Sequence, residues 1–401
     1  MSLASIKTNY NHTIYASYIG YITQAIINNF APLLFLTFQS SYSISLDQIA
    51  VLITFNFAVQ LVVDLLAARY VDRIGYRRAI VIAHIACTAG LVGLAALPDL
   101  LPSPYLGLLL SIGCYAIGGG LIEVLVSPIV EACPTQKKEA AMSILHSFYC
   151  WGHVFVVLCS TAFFALAGIE NWRILALIWA VVPLCNIFYF LQVPIAPLVA
   201  EEEREPVRSL FRNKLFWLFA LLMVCAGACE QGMSQWASAF AESGLGVSKT
   251  VGDLAGPCTF AACMGIARAC YGKFSDRIPL KIFMTGCAVL CVGSYLLASL
   301  TASPVLGLAG CAVCGLSVGI MWPGTFSMAA REIPRGGTAM FALYALAGDL
   351  GCSAGPGFVG MVSNQFGDSL KAGLLAAIIF PLLLLAGMAL LRAWSRRQEA
   401  E

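Results

Sequence analysis

Twelve apolar runs, each at least twenty residues long, dictate what this chain can become. They lie near residues 13–37, 46–68, 78–97, 104–132, 138–168 and 172–192, and after a polar break near 214–242, 247–271, 281–301, 304–331, 338–364 and 369–395. A hydrocarbon core about 30 Å thick is crossed by roughly 20 residues of helix, so each run is long enough to span a bilayer. Strands of a membrane barrel would alternate polar and apolar residues, and these runs do not, which leaves helices. Composition agrees: 60% of the 401 residues are apolar, 11% are charged and the mean hydropathy is +0.84, whereas a soluble domain is about a quarter charged. The net charge of +2 provides no basic field for nucleic acid, and none is expected as a partner. Most of the 16 cysteines fall inside the apolar runs, without paired zinc-type spacing, and read as small hydrophobes. No metal and no cofactor is expected.

Basic residues set the orientation. With the N-terminus placed in the cytoplasm, only Arg173, Lys249 and Lys371 fall on the outer side, and the other Lys and Arg fall on the inner side. Both termini are therefore expected inside, in a multi-pass protein of the cell (inner) membrane. The longest polar stretch carries Glu201-Glu202-Glu203-Arg204-Glu205-Pro206 and divides the chain into an N-terminal half, 1–193, a cytoplasmic linker, 194–213, and a C-terminal half, 214–401. The halves repeat weakly. Asp72-Arg73-Ile74-Gly75-Tyr76-Arg77-Arg78 follows the second run and Asp276-Arg277-Ile278-Pro279-Leu280-Lys281 the eighth. Pro128 in the fourth run is matched to Pro323 in the tenth. Two six-helix halves of like orientation predict a pseudo-twofold axis along the membrane normal.

The loop after the second run resembles the Gly-x-x-x-Asp-Arg/Lys-x-Gly-x-Arg/Lys-Arg/Lys signature of the major facilitator superfamily, with Ala68 in place of the first Gly. The loop after the eighth run, from Gly272, is similar to a diverged second copy. The resemblance covers essentially the whole chain. It implies an all-α membrane fold of twelve helices in two pseudo-symmetric halves, working by alternating access. It also implies a cytoplasmic gate formed by Asp72, Arg73, Arg77, Arg78, Asp276 and Arg277, the alternative being that these charges only enforce topology. Within the superfamily, Gly120-Leu121-Ile122-Glu123 with Ser127-Pro128 is similar to the fourth-helix segment of the fucose/proton symporter group. The segments at His146-Ser147-Phe148 and Trp322-Pro323-Gly324 also resemble that group. This resemblance implies proton-driven uptake of a sugar or sugar-like solute with Glu123 in the polar cavity. The group's first-helix carboxylate falls near Asn28 or Asn29, neither of which titrates, and Ser127 stands where the group has Asn.

Glu123 is the leading mechanistic residue on physical grounds as well. It lies nine residues before Ala132, about 13 Å at 1.5 Å per residue, close to the bilayer midplane, where a carboxylate is costly unless it is wet, paired or protonated. Across the hairpin centred near residue 135, His146 falls at a similar depth. It reads equally as a proton-sharing partner, a donor to substrate or a satisfied core residue. His146, Tyr149, Cys150 and His153 share one helical face. Gln24, Asn28 and Asn29 mark the first run, Glu230, Gln231, Gln235 and Trp236 the seventh, and Trp322 the tenth. Amides and indole rings of this kind suit hydroxyl recognition. With Tyr149, His153, Tyr344 and Asp349 they form the expected substrate-binding set. Trp236 reads equally as an interface anchor, and Asp349 equally as a cap for backbone groups opened by its flanking glycines.

The expected function is secondary active transport, proton-coupled uptake of a sugar or similar small polar solute. The alternatives are an exporter of amphiphilic metabolites or drugs by proton antiport, and a non-transporting solute sensor. No nucleophile–base pair is legible, so no enzyme is expected. The expected partners are a small-molecule substrate, a coupling ion (H+, with Na+ as the alternative) and the lipid bilayer, around a monomer.

Overall fold

The computed structural model describes residues 3–134, 138–196, 210–274, 278–333 and 337–400. Helix dominates, and no strand occurs among the described residues. A short Leu3–Thr8 helix precedes α1, Tyr10–Asn29, which continues through a 3-10 turn, Ala31–Leu34, into Phe35–Tyr42. The rest of the first six are α2 (Leu46–Ile74), α3 (Tyr76–Leu100), α4 (Pro104–Ala132), α5 (Lys138–Ala167) and α6 (Trp172–Gln192). The second six are α7 (Lys214–Ser234), α8 (Thr259–Phe274, led in by Lys249–Asp253), α9 (Leu280–Leu300), α10 (Pro304–Val318, resuming as Met321–Glu332), α11 (Gly337–Gln365) and α12 (Leu370–Ala376, resuming as Ile379–Ala400). Eleven described segments are long and apolar enough to cross a membrane.

Local chemistry explains where these helices start. Ser103 accepts from the Leu106 N–H at the head of α4, with Pro104 following where no N–H is needed. The Ser303-Pro304 pair stands at the same place on α10, where the proline follows but the serine side chain makes no cap bond. Asn213 caps α7 through the Leu215 N–H, and Ser369 caps α12 through the Ala372 N–H. Between α2 and α3 the chain turns on Gly75 at φ +91°, a conformation that needs glycine. Its counterpart Pro279 opens α9 at φ −55°, so the two copies of the loop turn by different means.

The chain forms two compact units, residues 1–44 with 55–200 and residues 45–54 with 201–401. In the first, α3 packs along α4 and α6, and α1 along α4, α5 and α6. In the second, α9 packs along α10 and α12, and α7 along α10, α11 and α12. The shared pairing is the repeat read at the level of structure. Its register differs by one helical turn from the match of Pro128 with Pro323. Gly120 lies against the Gln60 carbonyl and Gly319 against the Met264 carbonyl. Gln60 and Met264 stand equally far before Asp72 and Asp276, so Gly120 and Gly319 are the equivalent pair, and Pro323 falls opposite Val124.

Large apolar side chains face outward along α3 (Ile82, Ile85, Val92) and α6 (Ile174, Ile178, Val181, Phe188, Leu191), as lipid contact requires. Packing inside the second unit rests on small residues. A Cβ on Gly351 would strike the Val224 carbonyl and one on Gly355 would lie 2.5 Å from the Ala228 carbonyl, so α11 and α7 meet backbone to backbone. All sixteen cysteines are free thiols and most are buried.

Candidate functional site

The first site begins at Pro32. Having no N–H, this residue cannot bond the Asn28 carbonyl four positions back, and α1 gives way to the 3-10 turn there. Just before the break, α1 presents Tyr21, Gln24 and Asn28 on one face. Opposite them α2 carries Asn56, Gln60 and Asp64 at one-turn intervals, and α4 carries Glu123 and Ser127. The stripes join into one polar chain. Gln24 Nε2 donates to Glu123 Oε2 at 3.0 Å and to Gln60 Oε1 at 3.2 Å. Gln60 Nε2 and Asn56 Nδ2 both donate to Asn28 Oδ1, at 3.0 and 3.2 Å. The Tyr21 hydroxyl lies 3.2 Å from Ser127 Oγ, and its ring centre 5.5 Å from that of His146. Gln24, Asn28, Asn56 and Gln60 are buried and Glu123 is half-buried. Glycine makes the approach possible. A Cβ on Gly119 would meet Ile27 at 2.5 Å and Gln60 at 3.2 Å, and one on Gly120 would meet the Gln60 carbonyl at 2.9 Å and Asp64 at 3.0 Å. The Gln24 amide thus holds the carboxylate and is itself held through Gln60, Asn28 and Asn56.

The expected residues divide. Gln24, Asn28 and Glu123 meet in the cluster. Asn29 does not join it: its Nδ2 bonds the Ala25 carbonyl of its own helix at 2.9 Å, satisfying the end of α1. His146 is exposed and reaches the rim of the cluster through Tyr21. Tyr149 is half-buried and His153 buried, one and two turns further along α5, where Gly152 closes on Ala25. Asn56 and Gln60 escaped the sequence reading. Their signal was an amide every fourth residue in an otherwise apolar run.

In the second unit Gln235 Nε2 donates to Gln231 Oε1 at 3.0 Å, and Gln231 Nε2 lies 3.4 Å from Glu230 Oε1. All three are buried. Trp236 is fully buried and donates its indole N–H to the Pro356 carbonyl at 3.0 Å, which is internal packing rather than an interface anchor. Trp322 is half-buried against Gly348, Asp349 is buried, and Tyr344 is fully buried on Phe216 with ring centres 5.1 Å apart.

Arg268 lies in the last two turns of α8, which runs on to Phe274, and is half-buried. Its partner lies on α10. Pro323 cannot bond the Gly319 carbonyl, α10 breaks between Val318 and Met321, and Arg268 Nε takes over that carbonyl at 3.1 Å. Lys249 likewise is no bare loop charge. Its ammonium has three donors and meets Asp253 Oδ1 at 2.9 Å, Glu242 Oε1 at 3.1 Å and Ser238 Oγ at 3.2 Å, beside two π-helical turns. Burial pushes the Glu242 carboxyl above its ordinary range, and the Lys249 charge opposes that rise.

Of the expected gate residues, Arg77 donates to the Phe190 and Val193 carbonyls at 2.6 and 2.8 Å, clamping the C-terminal end of α6. Arg73 and Arg78 are exposed. The Asp72 side chain, Asp276, Arg277 and linker residues 197–209 lie outside the described residues.

Known proteins place this architecture. No curated protein sequence matches the chain significantly. Among solved structures it is similar to a bacterial homologue of the human lysosomal transporter Spinster, at 15% identity and TM-score 0.78 over 96% of this chain and 97% of that one. It is also similar to a D-xylose–proton symporter, at 13% identity and TM-score 0.77 over 95% and 97%. The fucose:proton symporter of E. coli matches at 14% identity and TM-score 0.64 over 94% and 98%. The sequence profile described as Major Facilitator Superfamily matches residues 17–356. That span runs from α1 into α11, and the chain therefore belongs to the Major Facilitator Superfamily: it is a multi-pass membrane transporter, not an enzyme.

Proposed function

We propose that the protein is a secondary active transporter of the cell membrane, with both termini in the cytoplasm, that takes up a sugar or similar small polar solute with protons. Glu123 is the proton-carrying group and His146 stands at the rim of its path. One observation carries the reading: the Glu123 carboxylate, half-buried in a membrane helix, is held by the Gln24 amide at the end of a buried amide chain. A carboxylate at such depth is costly when ionised and exchanges its proton readily when water reaches it. Each charge carried inward gains about 2.3 kcal/mol per 100 mV of membrane potential. The amides, Tyr149 and His153 supply hydroxyl-binding groups in the first unit, and Glu230, Gln231, Gln235, Trp322 and Asp349 offer groups of the same kind within the second. The sugar–proton symporters among the similar folds support the choice of solute class.

The test is transport by purified protein in liposomes. Glu123→Gln is expected to abolish substrate-induced proton movement and leave exchange of labelled substrate across the membrane intact. Full proton-driven accumulation by that variant would overturn the assignment.

A further inference from the structure

Two amide oxygens in the chain around Glu123 receive no hydrogen from the protein. Gln24 Nε2 is bonded to two acceptors, Gln60 Oε1 and Glu123 Oε2, so the amide cannot be turned over without setting oxygen against oxygen. Its own oxygen, on a side chain only 2% exposed, meets no donor in the protein. The same holds for Asn56, which is 6% exposed: Nδ2 is committed to Asn28 Oδ1, and Oδ1 is buried without a donor. Two orphaned carbonyl oxygens in one buried network need an explanation. Here they belong to one hydrogen-bonded chain that ends on an ionisable carboxylate and passes through Asn28, one turn before the interruption of α1.

We propose that this cluster on α1, α2 and α4 binds an alkali cation, sodium foremost, in competition with the proton on Glu123; the proposal rests on the reading of Glu123 as the coupling group. Neutral carbonyl oxygens with a carboxylate are the ligands of a hard cation. Broken membrane helices are where transporters hold coupling ions. A proton settles only the carboxylate and leaves the Gln24 and Asn56 oxygens as they are. A cation draws on all three, and its single charge matches that of Glu123. Among the described residues, the titratable groups placed near the cluster are Asp64 on α2, Tyr21 on α1, His84 on α3 near Gly20, and His146 on α5. Of these, Asp64 would add a second negative charge and strengthen the preference for a cation.

The experiment is thermal unfolding of the full chain in detergent, without substrate or ion gradient, against sodium, lithium, potassium and choline chlorides at constant ionic strength. Radioactive sodium binding is measured in parallel. Sodium is expected to raise the midpoint saturably and choline not to. The sodium concentration at half-effect should rise about tenfold per pH unit on the acid side of the Glu123 titration, as one-for-one competition requires. Asn56→Ala and Glu123→Gln should each weaken sodium binding at least about tenfold, while Asn56→Asp, which keeps the oxygen and controls for misfolding, should retain it. Equal responses to sodium and choline would mean that water serves the orphaned oxygens, and would overturn the proposal. So would sodium binding that Asn56→Ala leaves unchanged. Substrate-driven proton uptake by wild-type liposomes is read separately. Its absence overturns the coupling role of Glu123, and its presence without sodium binding overturns the cation site alone.

Discussion

Arg268→Gln is the perturbation whose cost can be worked most directly from the structure. The guanidinium holds the Gly319 carbonyl at 3.1 Å because Pro323 has no N–H to offer it. Inside a membrane domain that carbonyl has no ready substitute for the lost donor. A hydrogen bond from a charged group contributes about 1.5–3 kcal/mol, and the stranded acceptor carries a desolvation cost of similar size. Arg268→Gln should therefore destabilise the protein by about 2 kcal/mol, which lowers the unfolding midpoint of a unit this size by roughly 4–8 °C. Pro323→Ala returns the missing N–H to α10. On that background Arg268→Gln should cost less than in wild type by about 1–2 kcal/mol, the remainder being the lost attraction of its charge for the buried Glu230. The assay is a double-mutant cycle by thermal unfolding in detergent, with sodium and pH fixed. Equal losses in both backgrounds would falsify the reasoning, since the role of Arg268 would then be independent of the bend at Pro323.

Further outcomes follow from other contacts. Lys249→Met should cost about 3–5 kcal/mol, because it leaves the buried Asp253 carboxylate uncompensated, and adding Asp253→Asn should recover most of the loss in the same unfolding assay. Glu242 has a raised pKa in the folded protein, so its contribution is full below the ordinary carboxylate range and is lost as pH rises through the raised value. Glu242→Gln should accordingly compare better with wild type at neutral pH than in acid; the reverse trend would make the Lys249 pairing dominant. Gly355→Leu should drive a side chain into the Ala228 backbone and cost about 1–3 kcal/mol, read as lower yield of monodisperse protein. Arg77→Gln should destabilise the end of α6 by about 1–3 kcal/mol, detectable as faster hydrogen exchange around Phe190.

The helices were legible because crossing lipid demands a long apolar run, and interruption by charge or proline marks where it ends. The breaks of α1 and α10 have a signal in the sequence, Pro32 and Pro323, which a search for long apolar runs passes over. That of α12 after Ala376 carries the same signal, since Pro381 cannot bond the Ala377 carbonyl, whereas that of α7 after Ser234 has no proline near it and could not be read. Glu123, Gln24 and Asn28 stood out as polar residues in apolar surroundings. Their mutual contact did not, because it depends on how far each helix is rotated about its axis. The structure sets Gln24 beside the Glu123 carboxylate and Tyr21 beside the His146 imidazole, contacts that counting depth along the helices does not reveal. Arg77 shows the limit of reading charge as topology. Its guanidinium is used on the α6 carbonyls, a use that no count of loop charges reveals.

The three successive glycines of α4 have a mechanical consequence. Gly118 abuts Ala83 and Cys87 of α3, Gly119 abuts Ile27 of α1, and Gly120 abuts the backbone of α2. One stretch of helix thus serves as the spindle on which three others are mounted with no clearance, and none of them can slide without colliding with it. Glu123 sits one turn from that spindle. On the proposed coupling role of Glu123, its exposure first to one compartment and then to the other would carry α1, α2, α3 and α4 together as one solid piece.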